Sequence, residues 1–69
     1  MTAHAPAPVR LYGVRDVTAA LGISRAYLYK LISEGRIRPV KQGTRTCFTA
    51  AALDAYVKLL EREADEAAA

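Results

Sequence analysis

The residues of this chain that could do chemistry are mostly basic, and they are concentrated in one stretch. Six basic residues and one acidic residue lie within residues 25–45. The six are Arg25, Lys30, Arg36, Arg38, Lys41 and Arg45. Cationic side chains at this density favour reversible binding of a polyanion over the making and breaking of bonds, because such a ligand offers many negative groups in a row.

Residues that support covalent catalysis are few and isolated. Cys47 is the single cysteine, has no histidine near it in the sequence, and is interpreted as a small packing residue in a strand. His4 stands alone near the N-terminus, and the four glycines are too scattered for a phosphate-binding loop. We therefore predict a protein that is not an enzyme and that takes no metal, cofactor or small-molecule ligand.

Length and charge set bounds on that interpretation. The chain has 69 residues, of which 52% are hydrophobic, and a net charge of +3. Residues 1–48 carry eight basic and two acidic residues, net +6, whereas residues 49–69 carry two basic and five acidic residues, net −3. A domain of this size has a thin core, so its function is expected on the surface. A basic body fits a polyanionic partner, and the acidic C-terminal part needs a different role.

The remaining composition bears on location. A lone cysteine allows no intramolecular disulfide, which is typical of a reducing compartment. No apolar run approaches the roughly 18 residues of a membrane span, and residues 1–8 lack the apolar stretch of a signal peptide. We therefore expect a cytoplasmic protein without membrane contact.

Two short helices are predicted to position the basic residues. Gly13 is an acceptable N-cap, and the apolar residues after it follow a 3.6-residue period as far as Gly22, which suits a helix end. Ser24 is a preferred N-cap for a second helix over residues 25–34, which Gly35 follows. Two amphipathic helices joined by a three-residue link that contains glycine indicate a helix-turn-helix.

After Gly35 the pattern changes to that of strands. A turn is predicted at residues 42–44, and residues 45–48 are rich in strand formers. Pro39 cannot donate a hydrogen bond to a sheet, so its strand must lie at an edge. The sequence therefore predicts a small two-stranded hairpin, or wing.

A third helix is predicted to follow an N-cap at Thr49. Its buried stripe is predicted to be Leu53, Tyr56, Val57, Leu60 and Ala64. The predicted fold is mainly α, with three helices and the two-stranded wing. Residues 1–10 are expected to form a flexible arm, residues 11–60 the domain, and residues 61–69 an acidic, alanine-rich tail in which Glu63 to Ala69 fray.

The outer face of the second helix is the predicted contact surface. At about 100° per residue, Leu28, Leu31 and Ile32 share one arc, and Ala26, Ser33 and Lys30 lie roughly opposite. An outward alanine permits close approach, and its methyl can meet a thymine methyl in the DNA major groove. Double-stranded DNA is therefore the predicted partner.

Individual roles follow from side-chain chemistry. Arg25 could pair bidentately with a guanine, whereas Lys30 and Tyr29 suit phosphates. For Tyr27, packing beside the first helix is as good an interpretation as a DNA contact. The predicted DNA-binding residues are Ser24, Arg25, Ala26, Tyr27, Tyr29, Lys30, Arg36, Arg38, Lys41, Thr44 and Arg45.

Four stretches of the chain carry a resemblance to a known family. They are Leu-Gly-Ile-Ser-Arg at 21–25, Leu-Tyr-Lys-Leu-Ile at 28–32, Glu-Gly-Arg-Ile at 34–37 and Leu-Asp-Ala-Tyr at 53–56. Over roughly residues 11–60 the chain resembles the excisionase-type, MerR-like winged helix-turn-helix family. The resemblance implies a recognition helix from Arg25 in the major groove and a wing around residues 42–46 on the adjacent backbone or minor groove. Where the wing of this family often carries several successive basic residues, this chain has Arg45 alone.

The same resemblance bears on function. Family members include recombination directionality factors of phages and mobile elements, which bend attachment-site DNA and assist integrase, and small transcription regulators. Our leading hypothesis is a sequence-specific architectural factor of the excisionase kind, and the alternative is a regulator of transcription.

A third hypothesis, from a different class, is a protein-interaction adaptor that does not bind DNA. Leu59, predicted to be exposed beside Glu63, is its candidate contact. One module covers only about 600–1,000 Å² of DNA, so self-association on adjacent sites is also expected. Integrase is a candidate partner under the excisionase hypothesis.

Overall fold

The fold is that of a computed structural model, which describes residues 10–68. Its elements are β1 (Leu11–Gly13), α1 (Val14–Leu21), α2 (Arg25–Ser33), β2 (Val40–Gln42), β3 (Arg45–Thr49) and α3 (Ala50–Ala68). The mainly α architecture with a β-hairpin is as the sequence predicts. The predicted flexible arm and His4 lie outside the described residues, except that Arg10 of the arm is described and is exposed.

The link between α1 and α2 is the predicted three residues. Gly22 has a φ of 69°, in the left-handed region that favours glycine, and its N–H donates to the carbonyl of Thr18. Two residues later, the Ser24 hydroxyl accepts the N–H of Tyr27 at 3.1 Å. Local bonds therefore fix both ends of the link, and the start of α2 has a defined position.

The C-terminal end of α2 is a Schellman motif. The N–H of Gly35 donates to the carbonyl of Ile32 at 3.1 Å, and the N–H of Arg36 donates to the carbonyl of Leu31 at 3.0 Å. Gly35 has a φ of 75°, which lets the chain reverse here. The motif delivers Arg36 to a defined position beside α3.

The sheet has three strands instead of the predicted two. Its order is β1-β3-β2, with both pairs antiparallel. In the added pair, Tyr12 lies opposite Phe48 and Gly13 lies opposite Cys47. Sequence patterns did not reveal β1 because three residues are too short to show a strand pattern, and their partner lies far along the chain.

One core unites the elements. Its buried residues are Val17, Leu28, Leu31, Ile37, Phe48 and Tyr56. Cys47 is also buried, as predicted for a packing residue. Among the described residues, no polar or charged residue is buried. The core therefore holds together by apolar packing, and charged groups lie at the surface.

Helix α3 begins as predicted but continues further. The Thr49 hydroxyl accepts the N–H of Ala52 at 3.0 Å and caps the helix. Residues 61–68, which were predicted to form a tail, continue this helix. Alanine, glutamate and arginine are good helix formers, and they sustain this last part of the helix. None of the helices within residues 10–68 is long and apolar enough to cross a lipid bilayer.

The face that α3 turns toward the body differs from the predicted stripe. Its buried and half-buried residues are Ala52, Leu53, Tyr56, Leu59 and Glu63, of which Leu53 and Tyr56 belong to the predicted stripe. Val57 and Leu60, predicted to be buried, each remain 41% exposed. Ala64, also in the predicted stripe, is exposed, and Leu59, predicted to be exposed, is half-buried. The helix is thus rotated relative to the prediction, which placed the buried stripe by hydrophobicity alone.

Candidate nucleic-acid interface

The outer face of α2 is open to solvent. Ala26, Lys30 and Ser33 are exposed, and Leu28 and Leu31 on the opposite side are buried in the core. A helix with its side chains is about 10–12 Å across, close to the width of the DNA major groove, about 12 Å. This face therefore has the size and the accessibility that groove binding requires, with a small residue at Ala26 and a cation at Lys30.

Arg25 lies over an aromatic ring at the N-terminal end of α2. Its guanidinium carbon is 5.7 Å from the centre of the Tyr29 ring, a cation–π arrangement. Both residues line a polar cleft of about 280 Å³ between α2 and the sheet. The other lining residues are Val14, Thr44, Arg45 and Thr46. Arg25 thus lies at the junction between α2 and the β-hairpin.

A second cation borders the same cleft. Arg45 lies beside Gly13, where a Cβ atom would stand 3.6 Å from the Nη2 atom of Arg45 and 3.9 Å from the Oδ2 atom of Asp16. Both distances are ordinary van der Waals contacts, so the guanidinium packs directly beside the backbone of Gly13. Two guanidinium groups at one cleft would repel each other, and an anion between them would be stabilised by charge-assisted hydrogen bonds.

The wing contributes a third cation. The Lys41 ammonium donates to the Thr46 hydroxyl at 2.9 Å, and Thr46 lines the cleft. Lys41 and Thr46 are direct partners across the hairpin, whose loop consists of residues 43–44. Thr46 was not among the predicted site residues. The hairpin register, which places Thr46 opposite Lys41, could have identified it. The predicted turn covered residues 42–44, whereas the observed loop is residues 43–44, so the sequence did not give this register.

Arg36 and Glu63 are engaged with each other. The Arg36 Nη1 and Nη2 atoms donate to Glu63 Oε2 at 2.9 Å and to Oε1 at 2.5 Å. These hydrogen bonds lower the pKa of Glu63 and raise the pKa of Arg36. Arg36 was predicted to bind DNA and Glu63 to contact a partner protein. The ion pair instead occupies both side chains within the molecule.

Three further predicted residues take other positions. Arg38 is exposed but lines a separate, mostly apolar groove of about 420 Å³ beside α3, which shares no residue with the polar cleft. The Ser24 hydroxyl caps α2. Tyr27 is 45% exposed and lies near Tyr56 of α3, whose pKa is raised mainly by burial. Of the predicted set, the cleft therefore unites Arg25, Tyr29, Thr44 and Arg45.

The described residues form no metal site. Within residues 10–68, no three histidine, cysteine or acidic side chains come together in a group that could hold a metal ion. The chemistry that the surface offers is that of guanidinium, ammonium, hydroxyl and aromatic groups. These groups bind phosphates and base edges without covalent steps.

The arrangement defines a class of protein. Two helices joined by a three-residue link, with the second helix open to solvent beside a β-hairpin, make a winged helix-turn-helix protein. The sequence matches the family described as a helix-turn-helix domain over residues 11–58, and the chain belongs to that family. No match was found among curated proteins or among solved structures. Class and family together support DNA as the partner.

Proposed function

We propose that this protein binds double-stranded DNA sequence-specifically, with α2 in the major groove and the polar cleft and wing on the phosphate backbone. The supporting observation is the open face of α2, with Ala26 and Lys30, directly beside a cleft that two arginines border. Phosphate contacts fix the position of a protein on the duplex, and base contacts supply specificity. The exposed face of α2 and the cleft offer both kinds of contact.

The role of Arg25 is the point at which two versions of this proposal differ. A guanine contact would place the Arg25 guanidinium at a base edge in the groove, whereas a phosphate contact would place it on the backbone. Arg25→Ala separates the two in a binding assay on a panel of single-base variants of the site. Relaxed base preference at one position indicates guanine reading, and equal weakening on every sequence indicates a phosphate contact.

The number of available cations sets the expected salt dependence. With Arg36 held by Glu63 and Arg38 at a separate groove, four cations remain at the interface. These are Arg25, Lys30, Lys41 and Arg45. Neutralising four phosphates gives a slope of log affinity against log salt of about −3.6, from about −0.9 per phosphate. Gel-shift titration across salt concentrations measures this slope.

Matched variants sharpen that measurement. Lys41→Ala should reduce the steepness of the slope by about 1 and weaken all sequences alike. Lys58→Ala is the control, because Lys58 is an exposed cation on α3 that pairs with Asp54. It should leave the slope unchanged. A DNA affinity that does not change with salt, or the absence of a gel shift at low salt, would contradict DNA binding. Either result would favour an adaptor that binds only protein.

The biological role that we propose is that of an excisionase. The protein would bind and bend attachment-site DNA in the cytoplasm and promote excision by an integrase, which performs the covalent steps. The resemblance of residues 11–60 to excisionase-type proteins supports this role, as does the limited surface of one module, which favours several copies on adjacent sites.

Footprinting on the DNA that flanks the gene, followed by a reconstituted excision reaction with a candidate integrase, tests the role. We expect a footprint longer than one module covers, and an excision product that depends on the protein. A footprint confined to a promoter, with transcription altered in the absence of integrase, would replace this role by that of a transcription regulator.

A further inference from the structure

Helix α3 carries an apolar row that the body covers only at its N-terminal end. The row, here called the α3 seam, consists of Leu53, Val57, Leu60 and Ala64. Their spacing of four, three and four residues is that of the a and d positions of a coiled-coil heptad. Leu53 is half-buried and packs against the core, Val57 and Leu60 are each 41% exposed, and Ala64 is exposed. The seam therefore becomes more accessible toward the C-terminal end of α3.

The observed rotation of α3 produces this seam. The row that faces the body contains Tyr56, Leu59 and Glu63, and the bond between Glu63 and Arg36 holds that row inward. The neighbouring row, with Val57 and Leu60, is left at the side of the helix. Two exposed aliphatic residues one turn apart on an otherwise polar surface have the spacing that helix-in-groove and helix–helix contacts use.

The surroundings of the exposed half of the seam are acidic. Residues 61–68 include four acidic residues and one basic residue, Arg62. The acidic residues are Glu61, Glu63, Asp65 and Glu66. Within residues 10–68, Glu63 is the only one of these four that forms an ion pair. At about 100° per residue, Glu61 is the one of these four that flanks the seam without an ion pair, so the edge of the exposed apolar side chains is negatively charged.

Charge decides which occupant suits the seam. A second copy of this chain that presented the same seam would bring Glu61 near acidic groups of its own kind, and like charges across an interface oppose association. The basic surface of a second copy is not the occupant either, because we assign that surface to DNA. A helix of another protein, with an apolar row flanked by lysine or arginine, meets both the shape and the charge of the seam.

We propose that the α3 seam docks an amphipathic helix of a different protein, one whose apolar row is flanked by basic residues. The seam shares no residue with the polar cleft, so this contact and DNA binding involve separate surfaces. The seam spans residues 53–64, about 16 Å of helix at 1.5 Å per residue. So short a contact belongs to the small, reversible class of interfaces.

Two synthetic helical peptides test the proposal with the full chain. Both carry leucine at the a and d positions, and they differ only in having lysine or glutamate at the e and g positions. We expect the lysine peptide to bind at least tenfold more tightly than the glutamate peptide in a fluorescence anisotropy titration. We also expect the chain to remain monomeric by sedimentation at the concentrations used.

Variants separate the seam from general charge attraction. Leu60→Glu should weaken binding of the lysine peptide at least tenfold, although it adds a negative charge. Ala55→Glu adds the same charge at an exposed position on another side of α3 and should retain the peptide. Both variants should keep the melting temperature and the DNA affinity of the original chain, because neither position is buried or at the cleft.

Three outcomes would overturn the proposal. The two peptides could bind equally, which would remove the role of charge. The lysine peptide could bind Leu60→Glu as well as the original chain, which would remove the seam. The chain could form a dimer that Leu60→Glu dissociates, which would make a second copy the occupant. DNA binding could persist in all three cases, so this proposal can fail while the proposed function stands.

Discussion

Helices α2 and α3 pack against the same core but present opposite chemistry to solvent. The exposed face of α2 has a small residue, Ala26, and a cation, Lys30, whereas the exposed side of α3 has aliphatic Leu60 next to acidic Glu61. The inward face of α2 is held by two fully buried leucines. The inward face of α3 is held by Tyr56 and by the ion pair between Arg36 and Glu63.

The difference shows why the net charge of +3 describes this molecule poorly. One side of the chain attracts polyanions, and the far end of α3 repels them. A partner of the α3 seam would therefore be drawn to a region that DNA avoids. If both proposals hold, the two helices would give one small domain two surfaces that do not compete for the same ligand.

The largest expected effect comes from removing both arginines of the polar cleft. Arg25→Ala combined with Arg45→Ala should weaken DNA binding by about 100-fold or more, since a well-placed arginine contact contributes about 1–3 kcal/mol. The matched pair of substitutions on α3, Glu61→Gln with Asp65→Asn, should leave the DNA affinity within about threefold of that of the original chain. Fluorescence anisotropy with labelled DNA at fixed salt measures both. A larger loss from the α3 pair would reverse the assignment of the two surfaces.

Bulk on the exposed face of α2 should have the next largest effect. Ala26→Leu should weaken DNA binding by about tenfold or more, because the larger side chain would hold the helix away from the base edges. Leucine is a good helix former, so the melting temperature should be preserved. Ala55→Leu on α3 is the control and should bind DNA normally. Normal affinity of Ala26→Leu would mean that this face does not enter the groove.

The smallest effect concerns the ion pair that orients α3. Arg36→Met should raise the pKa of Glu63, because the hydrogen bonds to Arg36 are the main cause of its lowered pKa. A carboxylate with a lowered pKa in the folded state stabilises the fold above the ordinary pKa, 4.5, and loses that contribution as pH falls through the lowered value. The difference in melting temperature between the two chains should therefore shrink in acid.

Carbon-detected NMR titration of the Glu63 carboxyl group, with thermal melts between pH 3 and pH 7, measures this linkage. Lys58→Met removes the exposed pair with Asp54 and should change the melting temperature little, since exposed pairs contribute little. DNA affinity of Arg36→Met should stay within about threefold. A strong loss would restore Arg36 to the DNA-binding surface.

Features that a few neighbouring residues determine could be predicted from the sequence. Gly22, Ser24 and Thr49 mark helix boundaries through local conformation and capping bonds, and the structure has all three boundaries as predicted. The outward position of Ala26 and Lys30 also follows from local periodicity, because the buried leucines of α2 fix the opposite face. These parts of the fold and site needed no knowledge of tertiary contacts.

Features that depend on distant partners could not be predicted in this way. Strand β1 exists through its pairing with β3, and Glu63 of α3 bonds with Arg36 across 27 positions of the chain. The approach of Arg45 to the cleft depends on the hairpin register and on the packing of its guanidinium beside Gly13, 32 positions earlier in the chain. The hydrophobic periodicity of the sequence does not predict any of these contacts between distant residues.

The pairing of β1 with β3 has a mechanical consequence. Gly13 lies opposite Cys47 and leads directly into α1, so the hairpin is fastened to the start of the helical pair. Under the proposed binding mode, this pairing would set the distance between the tip of the hairpin and α2 on the duplex. DNA sequences whose groove width differs from that distance would have to deform at an energetic cost. We therefore expect the three residues of β1 to make the affinity depend on DNA shape.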